Sequence, residues 1–150
     1  MQNSEAFTTI RSEAPADGVA LIVLDRPEKA NAQSARMLHE LNRALDDAAR
    51  DGSVKVIVVA AEGRHFSSGH DLAPEPGFDR EAGAVGPWSG FDAPGVEGNW
   101  AFEEDYYFGL CWRWRNIPKP TIAAVQGKVI AGGLMLVWPF DIVVASADAT

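Results

Sequence analysis

Apolar and polar positions alternate in short runs at the start of the chain. Two β-prone runs, residues 7–11 and 19–24, flank the segment Pro15-Ala16-Asp17-Gly18, whose composition is typical of a tight turn. The pattern therefore predicts a β-hairpin. Arg26-Pro27 follows and ends the second strand, because proline has no N–H to donate to a sheet.

From Ser34 onward the apolar positions follow a helical spacing. They fall on one face of a helix that runs to about residue 50: Met37, Leu38, Leu41, Ala44, Leu45 and Ala48. Ser34 is suited to cap the N-terminus of this helix. Asp51-Gly52 follows its last turn, where glycine accepts a positive φ at little cost. Residues 54–61 are then β-branched and nearly all apolar, as in a strand covered on both faces.

The second half of the chain begins with a change of composition. Residues 72–100 are rich in Pro, Gly and acidic residues without an apolar period, which indicates a long variable loop. Residues 100–116 are aromatic and compatible with a helix. We expect strands at 121–125 and 141–145, and a short helix between them at 132–138. This alternation predicts an α/β fold with mainly parallel, buried strands.

Composition narrows the range of partners and locations. A 150-residue chain with 47% apolar residues fits one domain, and its net charge of −8 disfavours nucleic-acid and anionic-membrane partners. A single cysteine, Cys111, permits no internal disulfide, and residues 1–13 lack an apolar signal segment, so we expect a cytoplasmic protein. The most apolar stretch, 121–145, is too interrupted to span a membrane; the interrupting residues are Gln126, Lys128, Pro139 and Asp141.

Two glycine-containing turns stand out as candidates for chemistry. Residues 65–72 (HFSSGHDL) and 126–133 (QGKVIAGG) each follow an apolar strand and place glycine where the backbone can approach another group closely. The second turn opens a helix, so its N–H groups have no helical acceptor. Two such turns at neighbouring strand ends could aim two N–H donors at one oxyanion, an interaction worth about 2.7–4 kcal/mol per donor in enzymes. The alternative is that both are ordinary tight turns.

Four ordered motifs change that balance. The first three are residues 26–32 (RPEKANA), which resemble an R-P-x-x-x-N-A element, 66–72 (FSSGHDL), which resemble an F-x-x-G-x-D-L turn, and 119–127 (KPTIAAVQG), which resemble a K-P-x-I-A-A-V-x-G strand. The fourth is the Ala131-Gly132-Gly133 turn into which this strand leads, followed by Asp141-Ile142. Together they resemble the enoyl-CoA hydratase/isomerase (crotonase) family from about residue 19 to 150. The resemblance implies a spiral of ββα units in one acyl-CoA-binding domain over 1–150. It also implies a homotrimer or dimer of trimers if the chain continues beyond Thr150, where the family's helices complete the acyl pocket.

The resemblance also implies roles for individual residues. The family's two oxyanion-hole N–H donors fall on the backbone of His70 and Gly132, with Gly69 and Gly133 beside the substrate. The following residues would then contact an acyl-CoA thioester: Ser68 near the adenine end and Lys29 as a phosphate partner, although Lys29 is equally well explained as a solvated loop lysine. Coenzyme A is part of the substrate, so no separate cofactor is expected. No metal site is expected either, since the three histidines lack ligand spacing.

The acid and base of a hydratase are harder to place. Family hydratases use two glutamates; the first position is Met135 here, and the second would lie beyond Thr150. The sequence thus predicts an enoyl-CoA hydratase/isomerase-like protein that stabilises a thioester enolate. Two alternatives stay open: a catalytically silent acyl-CoA-binding protein, and a family enzyme of different chemistry, such as an isomerase, dehalogenase or C–C lyase.

Several side chains could supply the missing groups. Glu103, Glu104 and Asp105 could face an acyl pocket, but an acidic helix N-terminus explains them more simply. Asp71 reads as a turn-forming residue rather than a catalyst. Six aromatic residues could line an acyl site, although core or subunit contacts are the commoner role and we expect at most two to touch ligand: Trp100, Phe102, Tyr106, Tyr107, Trp112 and Trp114.

Two other enzyme classes are disfavoured. Ser67, Ser68 and His70 lie close in sequence, but there is no G-x-S-x-G elbow of a serine hydrolase. The segment around Gly132-Gly133 lacks the G-x-G-x-x-G spacing of a dinucleotide-binding fold.

Overall fold

The computed structural model describes residues 6–73, 75–79 and 93–150. In these ranges the strands form one sheet in the order β1-β2-β3-β4-β5, with β1 Ile10–Ala16, β2 Val19–Leu24, β3 Val56–Ala61, β4 Thr121–Val125 and β5 Ile142–Ala145. The β1–β2 pair is antiparallel, and the other three pairs are parallel. The predicted α/β fold with mainly parallel pairing is confirmed.

The hairpin forms where the turn composition predicted it, although its first strand was placed too early. β1 begins at Ile10, opposite Leu24, and reaches the turn at Asp17-Gly18, where Gly18 has a φ of +78°. Pro15 is accommodated inside β1 because this is an edge strand, on which a missing N–H breaks no ladder, and the register shifts between Glu13 and Ala16.

Helix α1, Ala35–Arg50, buries the predicted apolar face against the sheet. Its N-terminus is capped as expected: Ser34 Oγ accepts a hydrogen bond of 3.3 Å from the Met37 N–H. The C-terminus differs from the prediction. Asp51 ends the helix in an extended conformation with a φ of −72°, and Gly52 does not adopt a positive φ. The left-handed cap predicted at Gly52 is therefore wrong.

Burial is uneven across the sheet. Ile57 and Val59 of β3 are fully buried, whereas their neighbours on the other face are only half-buried. All four side chains of β5 are exposed. The expectation of buried strands thus holds for the inner face of β2, β3 and β4 and fails at the two edge strands, β1 and β5, whose side chains are mostly exposed.

The segment predicted as a loop followed by an aromatic helix is divided differently. Helix α2 spans Val96–Glu103, a π-helical segment spans Glu104–Gly109, and α3 spans Leu110–Arg115. The helix thus begins inside the predicted loop of 72–100, of which residues 74 and 80–92 lie outside the described ranges. Helix α4, Gly132–Val137, lies where it was predicted. Among the described helices, none has the length and apolar content needed to cross a membrane.

Candidate functional site

The two glycine turns run side by side in the structure. Ser67 and Val129 form an isolated parallel bridge, in which the Ser67 N–H donates to Lys128 O at 3.2 Å and the Ile130 N–H donates to Ser67 O at 3.0 Å. This short ladder joins segments more than 60 positions apart. It places the residues after both turns at the same end of the sheet.

Glycine is required at these turns because backbone meets backbone there. An ideal Cβ on Gly133 would lie 2.7 Å from Ser67 O, and one on Gly69 would lie 2.8 Å from Ile130 O. Gly69 also has a φ of +94°, a conformation that side chains rarely adopt. The close backbone approach predicted for the two turns is therefore confirmed.

His70 and Gly132 face one another across this junction. An ideal Cβ on Gly132 would lie 2.5 Å from His70 Nδ1, and an ideal Cβ on Gly69 would lie 3.5 Å from the Gly132 nitrogen. The peptide unit that carries the His70 N–H therefore borders the one that carries the Gly132 N–H. The two predicted donors, 62 positions apart in sequence, are neighbours in space.

The hydrogen bonding of these N–H groups differs from that of their neighbours. Neither the N–H of His70 nor that of Gly132 donates to an acceptor in the described ranges. The N–H groups of Gly69, Asp71 and Gly133 donate to acceptors 2.8–3.2 Å away, whereas the N–H of Ala131, like that of Gly132, has no acceptor in the described ranges. The N–H groups of His70 and Gly132 therefore lie close together without acceptors, and such donors are a ready site for an external acceptor.

The imidazole of His70 is held from two sides. Its Nε2 lies 3.3 Å from Glu103 Oε2, and its ring stacks on Tyr107 with centroids 3.8 Å apart and an angle of 21°. The Tyr107 hydroxyl in turn donates to Gln33 O at 3.5 Å. Burial raises the pKa of Tyr107 far above its usual value, with the Glu103 charge adding to the effect, so this hydroxyl stays protonated.

Gln33 is a residue of this site that the sequence analysis did not identify. Its side chain is 1% exposed, and its Nε2 donates to Ser67 Oγ at 2.9 Å. Its Oε1 is a buried atom without a hydrogen-bond partner among the described residues, 3.0 Å from an ideal Cβ on Gly132. The apolar periodicity of the sequence does not identify Gln33 as a site residue. Its only local feature is that it is a polar residue directly before the N-cap of α1.

A cavity of about 520 Å³ opens beside His70. It lies between the start of α1, residues 70–73 with Glu75, and helix α2, and its lining includes the carboxylates of Asp71, Glu75 and Glu103. A second cavity of about 750 Å³, between the β1–β2 turn and the end of α1, shares no lining residue with it. The cavity of about 520 Å³ is the one lined by His70, whose N–H is one of the two donors without an acceptor.

Asp71 has a structural partner in this cavity wall. It forms an ion pair of 2.9 Å with Arg26 and accepts the Ala73 N–H at 3.1 Å. Burial alone would raise the pKa of Asp71, but these hydrogen bonds outweigh it and hold the pKa below its usual range. The contacts are those of a turn-forming carboxylate, as the sequence suggested.

Lys29 and Ser68 lie together on the outer surface of the site. Lys29 ends the 3-10 turn Pro27–Lys29, and Ser68 packs on it through an N–H bond to Ala30 O of 2.9 Å and a hydroxyl contact to Lys29 O of 3.5 Å. Both side chains are exposed. The bend is kept tight by the buried Asn31, which accepts from the chain before the turn and donates to the chain beyond β3.

Met135 lies in a different environment. It lines an apolar groove of about 330 Å³ together with Cys111, Trp112 and Trp138, and it does not line the cavity beside His70. The Cys111 thiol donates to Met135 O at 3.2 Å. A thioether has no proton to exchange, so Met135 itself cannot act as an acid or a base.

The acidic and aromatic candidates are separated by the structure. Glu103 is the last residue of α2 and continues directly into the π-helical segment, so the predicted acidic helix N-terminus is wrong. Glu103 lines the cavity beside His70, whereas Asp105 is buried. The predicted aromatic residues divide into three groups, with Tyr106, Tyr107 and Trp114 buried, Phe102 half-buried, and Trp100 and Trp112 exposed. Two of them, Phe102 and Tyr107, line the cavity.

Comparison with known proteins agrees with the motifs. The enoyl-CoA hydratase/isomerase family model matches residues 14–82 and 89–150. EchA13 of Mycobacterium tuberculosis, named as an enoyl-CoA hydratase, is 43% identical over 95% of this chain and 46% of its own length. The 4-chlorobenzoyl coenzyme A dehalogenase-2 of an Arthrobacter species is 36% identical over 89% of this chain and 44% of its own length.

Solved structures show the same relationship. A crystal structure from Mycobacterium smegmatis, also named as an enoyl-CoA hydratase, superposes with a TM-score of 0.79 at 45% identity, over 94% of this chain and 50% of that one. The chain spans about half the length of the relatives it matches. The fold is that of the crotonase structures, and the chain belongs to the enoyl-CoA hydratase/isomerase family.

Proposed function

We propose that this chain binds an acyl-CoA thioester and stabilises its enolate with the backbone N–H groups of His70 and Gly132. The observation that carries the proposal is the adjacency of these two N–H groups, neither of which has an acceptor in the described ranges. Donors fixed in this way need no reorganisation when charge develops on the thioester oxygen. Gly69 and Gly133 serve by letting the two turns approach each other.

The coenzyme A moiety is proposed to lie over Lys29 and Ser68. Their side chains are exposed on one surface next to the oxyanion donors, and a lysine is an effective point charge for a phosphate. Local positive charge is needed because the chain as a whole carries a net charge of −8. Coenzyme A enters as part of the substrate, and no further cofactor is proposed.

For the reaction, we propose only an enzyme of the family that acts on an acyl-CoA, without choosing a single chemistry. Relatives are named as hydratases and as dehalogenases of acyl-CoA compounds, so the family supports an enzyme acting on an acyl-CoA. Met135 at the first glutamate position favours a second candidate: binding without turnover, or an isomerase, dehalogenase or C–C lyase chemistry in place of hydration.

Calorimetry with butyryl-CoA and with free CoA tests the binding proposal. If the oxyanion donors hold the thioester, butyryl-CoA binds at least about tenfold tighter than CoA, since tenfold corresponds to about 1.4 kcal/mol, a fraction of what such a donor supplies in a transition state. Equal affinities would refute it. Rapid hydration of crotonyl-CoA would separately exclude the silent-binder alternative.

Self-association is proposed for the exposed apolar side chains of the π-helical segment, α3, the end of α4 and β5. Phe108, Trp112, Trp138 and Val143 are each at least 50% exposed, and large exposed apolar patches mark interaction sites. A trimer, as the family resemblance implies, would bury part of this surface. Analytical ultracentrifugation of the protein tests it: a monomer at micromolar concentration would contradict the proposal.

A further inference from the structure

We propose that Glu103 is the base that removes a proton from the α-carbon of the bound thioester, and that the His70 imidazole is a positioning residue that holds it. The inference rests on the proposed function and adds the proton-transfer group that Met135 cannot supply. His70 lies in the turn after Gly69 and Glu103 at the end of α2, so the two residues are brought together only by folding.

The contact between the two side chains is well supported by its surroundings. His70 Nε2 lies 3.3 Å from Glu103 Oε2, and the ring is clamped against Tyr107 at a centroid distance of 3.8 Å. The imidazole is 26% exposed and the carboxylate 46% exposed, so the pair reaches the cavity without being open on all sides. A ring stacked on Tyr107 in this way is suited to orient the Glu103 carboxylate.

Of the three carboxylates that line the cavity, Glu103 has the fewest hydrogen-bond and ion-pair partners among the described residues. Asp71 is paired with Arg26, and Glu75 accepts hydrogen bonds from Ser34 Oγ and the Arg36 N–H at 3.0 and 3.1 Å. Glu103 Oε1, in contrast, accepts no hydrogen bond from a described residue, and its other oxygen is held by His70. A general base needs one oxygen held and one available to the substrate.

The position relative to the oxyanion donors also fits. The α-carbon is bonded to the carbonyl carbon, so it lies two bonds from the oxygen that the His70 N–H would hold. His70 would thus border the thioester oxygen with its backbone N–H, while its ring contacts Glu103. In addition, Glu103 directly precedes a π-helical segment, a helical irregularity that recurs at functional sites.

The proposed step balances without a co-reactant. The α C–H bond breaks, its electron pair forms the enolate, and the resulting negative charge rests on the thioester oxygen between the two N–H groups. The proton forms an O–H bond on Glu103. Reversal returns a hydrogen to the α-carbon, and in D₂O that hydrogen is deuterium because the carboxyl proton exchanges with solvent.

Deuterium exchange at the α-carbon of butyryl-CoA tests the step directly. The protein is incubated with butyryl-CoA in D₂O, and the deuterium content of the butyryl-CoA is measured by mass spectrometry. The protein should catalyse exchange, and Glu103→Gln should slow it by at least about 100-fold while calorimetric affinity for butyryl-CoA stays within about twofold. Glu103→Asp should recover part of the rate. Glu104→Gln, one residue on and outside the cavity lining, should exchange at the normal rate.

The positioning role of His70 has its own readout. His70→Ala should lower the kcat for exchange by about tenfold with little change in KM, and His70→Gln, which can still donate to Glu103, should restore part of kcat. Normal exchange by Glu103→Gln, or no exchange by a protein that binds butyryl-CoA tightly, overturns the assignment of Glu103 alone. If butyryl-CoA binds no better than CoA, the proposed function fails and this inference fails with it.

Discussion

The imidazole of His70 occupies the space that a side chain at Gly132 would need. An ideal Cβ on Gly132 would fall 2.5 Å from His70 Nδ1 and 2.8 Å from Cε1, distances that real Cβ atoms do not show. The backbone of Gly132 does not itself require glycine, because its φ is not positive. The requirement is steric and comes from a residue 62 positions earlier in the chain.

Gly132→Ala is therefore expected to disturb the oxyanion donors. The new methyl group pushes the His70 ring away, and we expect butyryl-CoA to bind at least about tenfold more weakly while CoA affinity changes little. Gly52→Ala is a matched control, since its Cβ meets nothing within 4 Å. In the double variant with His70→Ala the collision is absent, so much of the thioester affinity should return. A Gly132→Ala protein that binds like the original would show that the two residues do not define the site.

Gly69 offers a second test, in which conformation and crowding can be separated. Gly69 and Gly77 both have positive φ values, +94° and +78°, but only Gly69 has a close neighbour, Ile130 O at 2.8 Å from an ideal Cβ. Gly77→Ala measures the conformational cost of roughly 1–2 kcal/mol. Gly69→Ala should lower the free energy of unfolding by about 1–3 kcal/mol more, as measured by urea denaturation. Equal losses would mean that the two turns are not in tight contact.

Lys29→Ala should weaken the binding of CoA and of butyryl-CoA by the same factor. The lysine is proposed to contact the phosphates, which both ligands share, and an exposed ion pair contributes about 0.2–1 kcal/mol, or up to roughly fivefold in affinity. The effect should shrink at high salt. Lys55→Ala, at an exposed lysine beside Gly18 of the β1–β2 turn, is the control. A loss confined to butyryl-CoA would place Lys29 near the acyl group instead.

Glu40 should make stability depend on pH at the acidic end. It is 4% exposed and accepts hydrogen bonds of 2.7–3.1 Å from the N–H and hydroxyl groups of Thr8 and Thr9. Burial alone would raise the pKa of Glu40, but these bonds outweigh it and lower the pKa below its usual value. The stabilisation is thus complete above the unfolded pKa of about 4.3 and is lost as pH falls through the lower folded pKa.

Glu40→Gln should accordingly lower the free energy of unfolding by about 1.5–3 kcal/mol at pH 7. The difference from the original protein should narrow as pH falls below 4, because the carboxyl group is then protonated in both states. Glu28→Gln, at an exposed site, should change stability by no more than about 0.5 kcal/mol. A difference that is independent of pH would show that the charge of Glu40 is not what stabilises the N-terminal strand.

Cys111 should resist alkylation in the folded protein. Burial raises the pKa of its thiol to about 12, so the reactive thiolate is scarce at neutral pH. Iodoacetamide at pH 8 should modify Cys111 roughly a thousandfold more slowly than it does the same protein in urea, where the thiol has its ordinary pKa of about 8.5. The modification is followed by mass spectrometry. Equal rates in the folded protein and in urea would mean that the groove formed with Met135 opens in solution.

Local patterns in the sequence determined much of the secondary structure. The Ser34 cap, the apolar face of α1 and the strand Thr121–Val125 appear as predicted, because caps and apolar periods act between residues a few positions apart. Where local cues were weak, the prediction erred. Val96–Glu103 forms a helix despite a loop-like composition, and the edge strand β5 is exposed despite an apolar run.

The sequence by itself also determined the family, through four ordered motifs, and hence the residues of the oxyanion donors as expectations. Only the tertiary structure decided which N–H groups lack acceptors, because hydrogen bonding at His70 and Gly132 depends on two turns paired across more than 60 positions. The same holds for the buried Oε1 of Gln33 and for the contact between His70 and Glu103. These arise from packing between distant elements, which no local period or propensity encodes.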